Sequence, residues 1–216
     1  IAVYKNNTFT PYTGDGTSGV FIFGAQLEAG SYPTSYIPTS GAEVPRAADV
    51  ANGAGNSEVF NDSEGVLFAN IAEIANDNIY KQLTLNSGSP DNSIRLMFTD
   101  VDNQIRYFVR RSASTQADIT HTLSNSTQFS KISMVYKAND FQFWVNGFKI
   151  DTDTSGTPPS GLNQIDFNDG GTSSPFYGKS KEIGYYDAVL TDAELEALTS
   201  YTSFTNMANE LNLTIK

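Results

Sequence analysis

Four of the chain's five arginines, Arg95, Arg106, Arg110 and Arg111, fall within seventeen residues. They sit in an acidic chain, where 13 Lys and Arg against 24 Asp and Glu leave a formal charge of −11. A guanidinium fork matches the paired oxygens of a carboxylate or sulfate, and an aromatic ring offers a flat apolar surface to the C–H side of a sugar. In SIRLMF, Ile94, Leu96 and Phe98 alternate with Arg95 and Met97; in QIRYFVRR, Ile105, Tyr107 and Val109 alternate with Arg106, Phe108 and Arg110. Period-two alternation places the two sets on opposite faces of a strand, so Arg95, Arg106, Phe108 and Arg110 point away from the apolar set. In FQFWVNG the same rule sets Gln142 and Trp144 opposite Phe141, Phe143 and Val145. Arg95, Arg106, Phe108, Arg110, Gln142 and Trp144 are therefore the expected ligand-binding residues, and the ligand they suit is an anionic or uronate-bearing surface polysaccharide. A solvated sheet face or a subunit interface is the alternative the same residues allow.

Other chemistries find less. Without cysteine there is no disulfide framework, thiolate nucleophile or Cys-type zinc site. Retaining glycoside hydrolysis needs two carboxylates roughly 5 Å apart on one face, and no such E-x-D-x-E spacing occurs. Asp166-Phe167-Asn168-Asp169 instead runs into Gly170-Gly171, a strand end entering a turn. Asp100 and Asp102 in TDVDNQ lack the D-x-D-x-D-G spacing and distal Glu of an EF-hand loop and read as a tight turn. His121, the single histidine, reads as a solvated or hydrogen-bonded strand residue. No catalytic residue and no metal ligand is assigned, and no cofactor is expected. The negative charge opposes nucleic acid as a partner. No stretch approaches the roughly 18 apolar residues of a membrane span. The opening IAVYKNNTFT lacks the blocks of a signal peptide, so the chain is expected to begin inside a longer protein or to carry no address.

The elements that must position these residues are mostly strands. From Glu58 onward, strand signals recur at short spacing with turn residues between them. They cover Val66 to Ile74, Tyr80 to Leu85, Ile94 to Thr99, Gln104 to Arg111, Lys131 to Lys137, Phe141 to Val145, Phe148 to Asp151, Ile165 to Asn168 and Lys181 to Tyr186. Asn146-Gly147 between two such runs marks a type I′ hairpin. In LTDAELEALTSY, Thr191 followed by Glu194 predicts a capping box opening a helix with Leu195 and Leu198 on its apolar stripe. Upstream, Val20 to Leu27 reads as one strand, and Pro33, Pro38 and Pro45 mark an extended connector. The expected division is residues 1–55, the end of an upstream β domain plus a Pro/Gly/Ser-rich linker; 56–201, a sandwich of about ten strands; and 202–216, a tail with no assigned role. An unpartnered apolar strand at Val20 to Phe23 also predicts self-association.

FQFWVNG followed by KEIGYYDAVLTDAELEALTS resembles the closing half of laminin-G-like, concanavalin-type domains, over roughly Glu58 to Tyr201. That resemblance implies an all-β, antiparallel jelly-roll sandwich with one short C-terminal helix. It also implies calcium at the sandwich rim in some members, with no site that this sequence places. The same superfamily holds lectin and adhesion modules, glycoside hydrolases and polysaccharide lyases. A lyase or depolymerase acting on an anionic glycan is the alternative function, with Arg106, Gln104, His121 and Tyr107 supplying the residue types, although the alginate-lyase motifs R-[ST]-E-x-R, Q-[IV]-H and Y-F-K-x-G are absent. FGAQLEAGSYPTSYIPTSGAEVPRAADV is similar to a segment of tailed-phage virion proteins, tail fibres above all. This second resemblance implies a virion or otherwise extracellular setting, other virion proteins as partners, and a homo-oligomer, a trimer as in fibres. The sequence reading is thus a non-catalytic, host-contacting module that binds a polysaccharide or mediates fibre assembly.

Overall fold

The structure, a computed structural model, describes residues 16–17, 23–28, 35–45 and 55–201. Contacts divide the chain into two compact units, Ile1–Ala47 and Ala48–Lys216. In the first unit Phe23 to Glu28 have no regular structure, and Phe23 and Leu27 are exposed. The described part of the expected Val20 to Leu27 strand is therefore irregular, held locally by Ile37 N donating to Gln26 Oε1 at 3.2 Å and by Phe23 tilted against Tyr36. Residues 20–22, Pro33 and the tail 202–216 lie outside the described residues.

The second unit is an antiparallel β-sandwich with one short C-terminal helix. Its strands are β1 (Glu64–Glu73), β2 (Lys81–Asn86), β3 (Ser93–Phe98), β4 (Gln104–Arg111), β5 (Ser114–Thr122), β6 (Ser130–Lys137), β7 (Asp140–Val145), β8 (Phe148–Asp153), β9 (Gln164–Asp166) and β10 (Gly178–Tyr186), followed by α1 (Asp192–Thr199). One sheet runs β10-β1-β6-β7-β8 and the other β5-β4-β3-β2-β9. The alternating apolar residues of both close on each other: Leu67, Ala69 and Ile71 of β1 and Phe141 and Phe143 of β7 share a core with Ile94, Leu96 and Phe98 of β3 and Ile105, Tyr107 and Val109 of β4. Tyr107 is fully buried, and its hydroxyl crosses the core to donate to Val135 O on β6 at 2.7 Å, satisfying the one polar atom that this aromatic carries inside.

One strand went unread in the sequence. β5 alternates Ala117 and Ile119 inward with Asp118 and Thr120 outward, a polar edge-strand pattern with only two buried apolar residues. The turn leading into it places Ser112 (φ 47) and Ala113 (φ 66) in the left-handed region, which neither residue type advertises. The Asn146-Gly147 turn behaves as expected, with φ of 50 and 89. A Cβ at this glycine would lie 2.6 Å from Ser200 Oγ, which would have to turn aside.

The capping box forms as well: Thr191 N donates to Glu194 Oε2 at 2.8 Å, and Glu194 N donates to Thr191 Oγ1 at 3.3 Å. Thr191 Oγ1 also donates to Glu194 Oε2, at 2.7 Å, and this bond together with the one from Thr191 N holds the Glu194 carboxyl below its ordinary range. Thr191→Ala leaves first-turn N–H groups without their acceptor, and a loss of about 1 kcal/mol is expected in urea unfolding. The helix lays Leu195 over the outer face of the first sheet, against Val66, Val135 and Trp144.

Candidate functional site

The outer face of the second sheet carries the arginines. Register pairs Thr84 of β2 with Arg95 of β3, Arg95 with Phe108 of β4, and Phe108 with Asp118 of β5, so these four form one row across the face. The next row holds Gln82, Met97, Arg106 and Thr120, and the row on the other side holds Asn86, Ser93 and Arg110. Arg95, Arg106, Phe108 and Arg110 therefore come together as the alternation requires. Both Arg106 and Arg95 lean over the Phe108 ring, with Cζ 4.4 and 5.8 Å from its centroid.

The guanidinium groups differ in how far they are committed. Arg106 makes a two-pronged pair with Asp118, Nε to Oδ1 at 2.6 Å and Nη2 to Oδ2 at 2.5 Å. That hydrogen-bonded carboxylate holds the Arg106 cation above its ordinary range. Arg110 donates through Nη2 to Ala113 O at 2.8 Å and faces Asp91 Oδ1 at 3.6 Å. Arg95 is different. It is only 7% exposed, donates through Nε to Ser93 Oγ at 2.8 Å and through Nη2 to Pro90 O, and forms no ion pair among the described residues. Burial lowers its affinity for the proton and the neighbouring Arg110 lowers it further, while Asp169 and Asp91 oppose both. Burying a cation without a paired anion is costly, and here only the Ser93 hydroxyl and the Pro90 carbonyl offset that cost.

A loop walls one side of this face. Thr84 Oγ1 donates to Asn168 O at 2.5 Å and Asn86 Nδ2 donates to Asp166 Oδ2 at 2.9 Å, so Thr84 and Asn86 are wholly buried although they point outward. Gly170, at φ +81, passes so close that a Cβ would come within 3.1 Å of Asn86 Cγ. Asp169 Oδ1 ties the loop by accepting from Gly171 N and Ser173 N at 2.9 and 3.1 Å. What stays accessible is the β4–β5 side, where Arg106, Phe108 and Arg110 are half-buried and Asp118 and Thr120 are exposed.

Gln142 and Trp144 belong elsewhere, and this corrects the sequence reading. They do point out of the core, but from β7 of the other sheet, so the whole sandwich separates them from the arginines. Trp144 is 4% exposed beneath α1, and its Nε1 donates to Gln142 Oε1 at 3.0 Å. Gln142 in turn donates to Asp140 Oδ1 at 2.9 Å. Asp118, which decides the state of Arg106, was missed because its strand was missed.

The residues considered for lyase chemistry do not assemble. Gln104 and Arg106 point outward, whereas Tyr107 is buried in the core and His121, opposite Ile105 on β5, lies on the inward side. Burial pushes His121 below its ordinary value, and it lies away from the arginine face. The TDVDNQ segment is a turn, closed by Gln104 N donating to Val101 O at 3.1 Å. Among the described residues no group of three or more His, Cys, Asp or Glu could hold a metal ion. No helix among them is long and apolar enough to cross a membrane.

No family model matches this chain, and no curated protein matches it. Solved structures do. A leech intramolecular trans-sialidase complexed with 2,7-anhydro-Neu5Ac is 18% identical with a TM-score of 0.54, over 73% of this chain and 27% of its own. The Ruminococcus gnavus IT-sialidase CBM40 bound to α2,3 sialyllactose is 17% identical with a TM-score of 0.54, over 70% of this chain and 94% of its own. The NanB sialidase from Streptococcus pneumoniae is 12% identical with a TM-score of 0.54, over 67% and 25%. The chain thus spans about a quarter of each sialidase but nearly the whole of the CBM40. At these identities the likeness is one of fold: this is an antiparallel jelly-roll sandwich of the kind seen in CBM40 domains.

Proposed function

We propose that the sandwich is a non-catalytic glycan-binding module whose ligand bears a carboxylate, held on the outer face of β3, β4 and β5. One observation carries this reading. Arg95 is a buried guanidinium with no carboxylate partner among the described residues, set beside a half-buried aromatic ring and walled by an anchored loop. A ligand carboxylate supplies the missing anion, while the Phe108 ring and the hydroxyl of Thr120 contact the sugar. The CBM40 neighbour bound to sialyllactose supports the choice of a sialylated sugar as the first probe. The lyase alternative is set aside because Gln104 and Arg106 point away from Tyr107 and His121.

The setting we propose is a virion, in a host-contacting phage tail or fibre protein working as a homo-oligomer, a trimer. The similarity of FGAQLEAGSYPTSYIPTS to virion proteins supports it. Calorimetric titration with sialyllactose, an oligo-uronate and lactose tests the ligand class. We expect binding of an acidic sugar that weakens with added salt and no binding of lactose. Equal affinity for lactose, or no heat with either acid, would overturn the reading. Incubation with a uronate polymer is expected to generate no unsaturated product absorbing in the ultraviolet.

A further inference from the structure

The loop joining β1 to β2 surrounds a charged side chain that the glycan face does not use. Lys81 is the first residue of β2, pairs with Phe98 and is 1% exposed. Its Nζ lies 3.3 Å from Ala75 O, 3.4 Å from Ile79 O, 3.5 Å from Glu73 Oε2 and closest of all to Asp77 Oδ1. Glu73 is itself 2% exposed, at the end of β1. An ammonium has three protons to donate. Asp77 and the two carbonyls use them, and Glu73 Oε2 is left in the cage with no hydrogen bond.

Two carboxylates and two backbone carbonyls converging on one buried point form a hard-oxygen set, the donor chemistry that suits Ca²⁺. With Lys81 inside, the charges sum to −1. Burial raises the Glu73 carboxyl above its ordinary range, against the pull of Lys81.

We propose that the Glu73–Ile79 segment is a cation-coordination cage that the chain fills with its own Lys81 ammonium. The covalently attached cation stands where a bound metal ion would otherwise tie the loop to the sheet. The loop is therefore held without metal. This inference is independent of the glycan reading.

The test compares thermal unfolding of the full chain and two variants in EDTA, in millimolar Ca²⁺ and in millimolar Mg²⁺. The wild-type chain is expected to melt at one temperature in all three. Lys81→Ala empties the cage and leaves a net charge of −2. It is expected to melt several degrees lower in EDTA and to recover saturably with Ca²⁺, less with Mg²⁺, whose bonds of about 2.0–2.1 Å and reluctant dehydration suit so wide a cage poorly. Lys81→Met fills the space without charge and is expected to be destabilised and unresponsive to either ion. If Lys81→Ala does not fold in EDTA, recovery of folded protein on refolding with Ca²⁺ gives the same readout. The inference fails if Ca²⁺ moves Lys81→Ala no more than wild type, if refolding with Ca²⁺ recovers nothing, or if EDTA lowers the wild-type melting temperature.

Discussion

Trp144→Ala will destabilise the sandwich by about 3–5 kcal/mol, the range for truncating a buried aromatic, and will do so without touching the ligand face. The indole packs between the first sheet and α1 with Val66, Val135 and Leu195. Its removal opens a cavity, loosens the helix and strands the Gln142 carboxamide oxygen that accepts from Nε1. Urea unfolding checks the size of the loss, and titration of an acidic glycan below the transition checks that affinity per folded molecule is unchanged. A variant that keeps its stability but loses the glycan would return Trp144 to a binding role and contradict its place under α1.

Arg95→Ala is expected to weaken binding of a carboxylate-bearing sugar by about 1.5–3 kcal/mol, roughly ten- to 150-fold, because the lost hydrogen bonds are charge-assisted. The guanidinium is buried and also holds Ser93 and Pro90, so Arg95→Lys serves as the companion variant. It keeps the charge but loses the planar fork, and should bind poorly while remaining folded. Asp118→Asn is expected to act in the opposite direction. It removes a negative charge from the face and, because an amide keeps only one acceptor oxygen, frees one of the two Arg106 donors that Asp118 now occupies, so affinity for an anion rises. If Arg95→Ala and Arg95→Lys both bind as wild type does, the anion site is not at Arg95. If Asp118→Asn lowers affinity, Asp118 contacts the sugar rather than competing with it.

What the sequence determines by itself is local. The period-two alternation in SIRLMF, QIRYFVRR and FQFWVNG correctly says which side chains leave the core, because successive residues of a strand must face opposite ways. The Asn146-Gly147 turn and the Thr191–Glu194 box are legible for the same reason, since backbone conformation and capping act over a few residues. β5 was harder to read because it is a polar edge strand entered through Ser112 and Ala113, which carry no turn signal. Lys81 sits at a position that the strand pattern marks as inward; Ala75, Asp77 and Ile79 lie within six residues of it, but no turn or spacing signal in them says that their oxygens converge on it with that of Glu73.

Only the tertiary structure decides which sheet each strand joins. β1 pairs with β6 and β10, and β2 pairs with β9, partners brought together by core packing across long stretches of chain. Alternation tells inside from outside, but a sandwich has two outsides. The arginines and Phe108 share one of them, and Gln142 and Trp144 lie on the other beneath α1. Pairing between distant strands depends on the fit of the whole core and leaves no short-range mark, which is why the direction of each of these side chains was legible and their partition between the two faces was not.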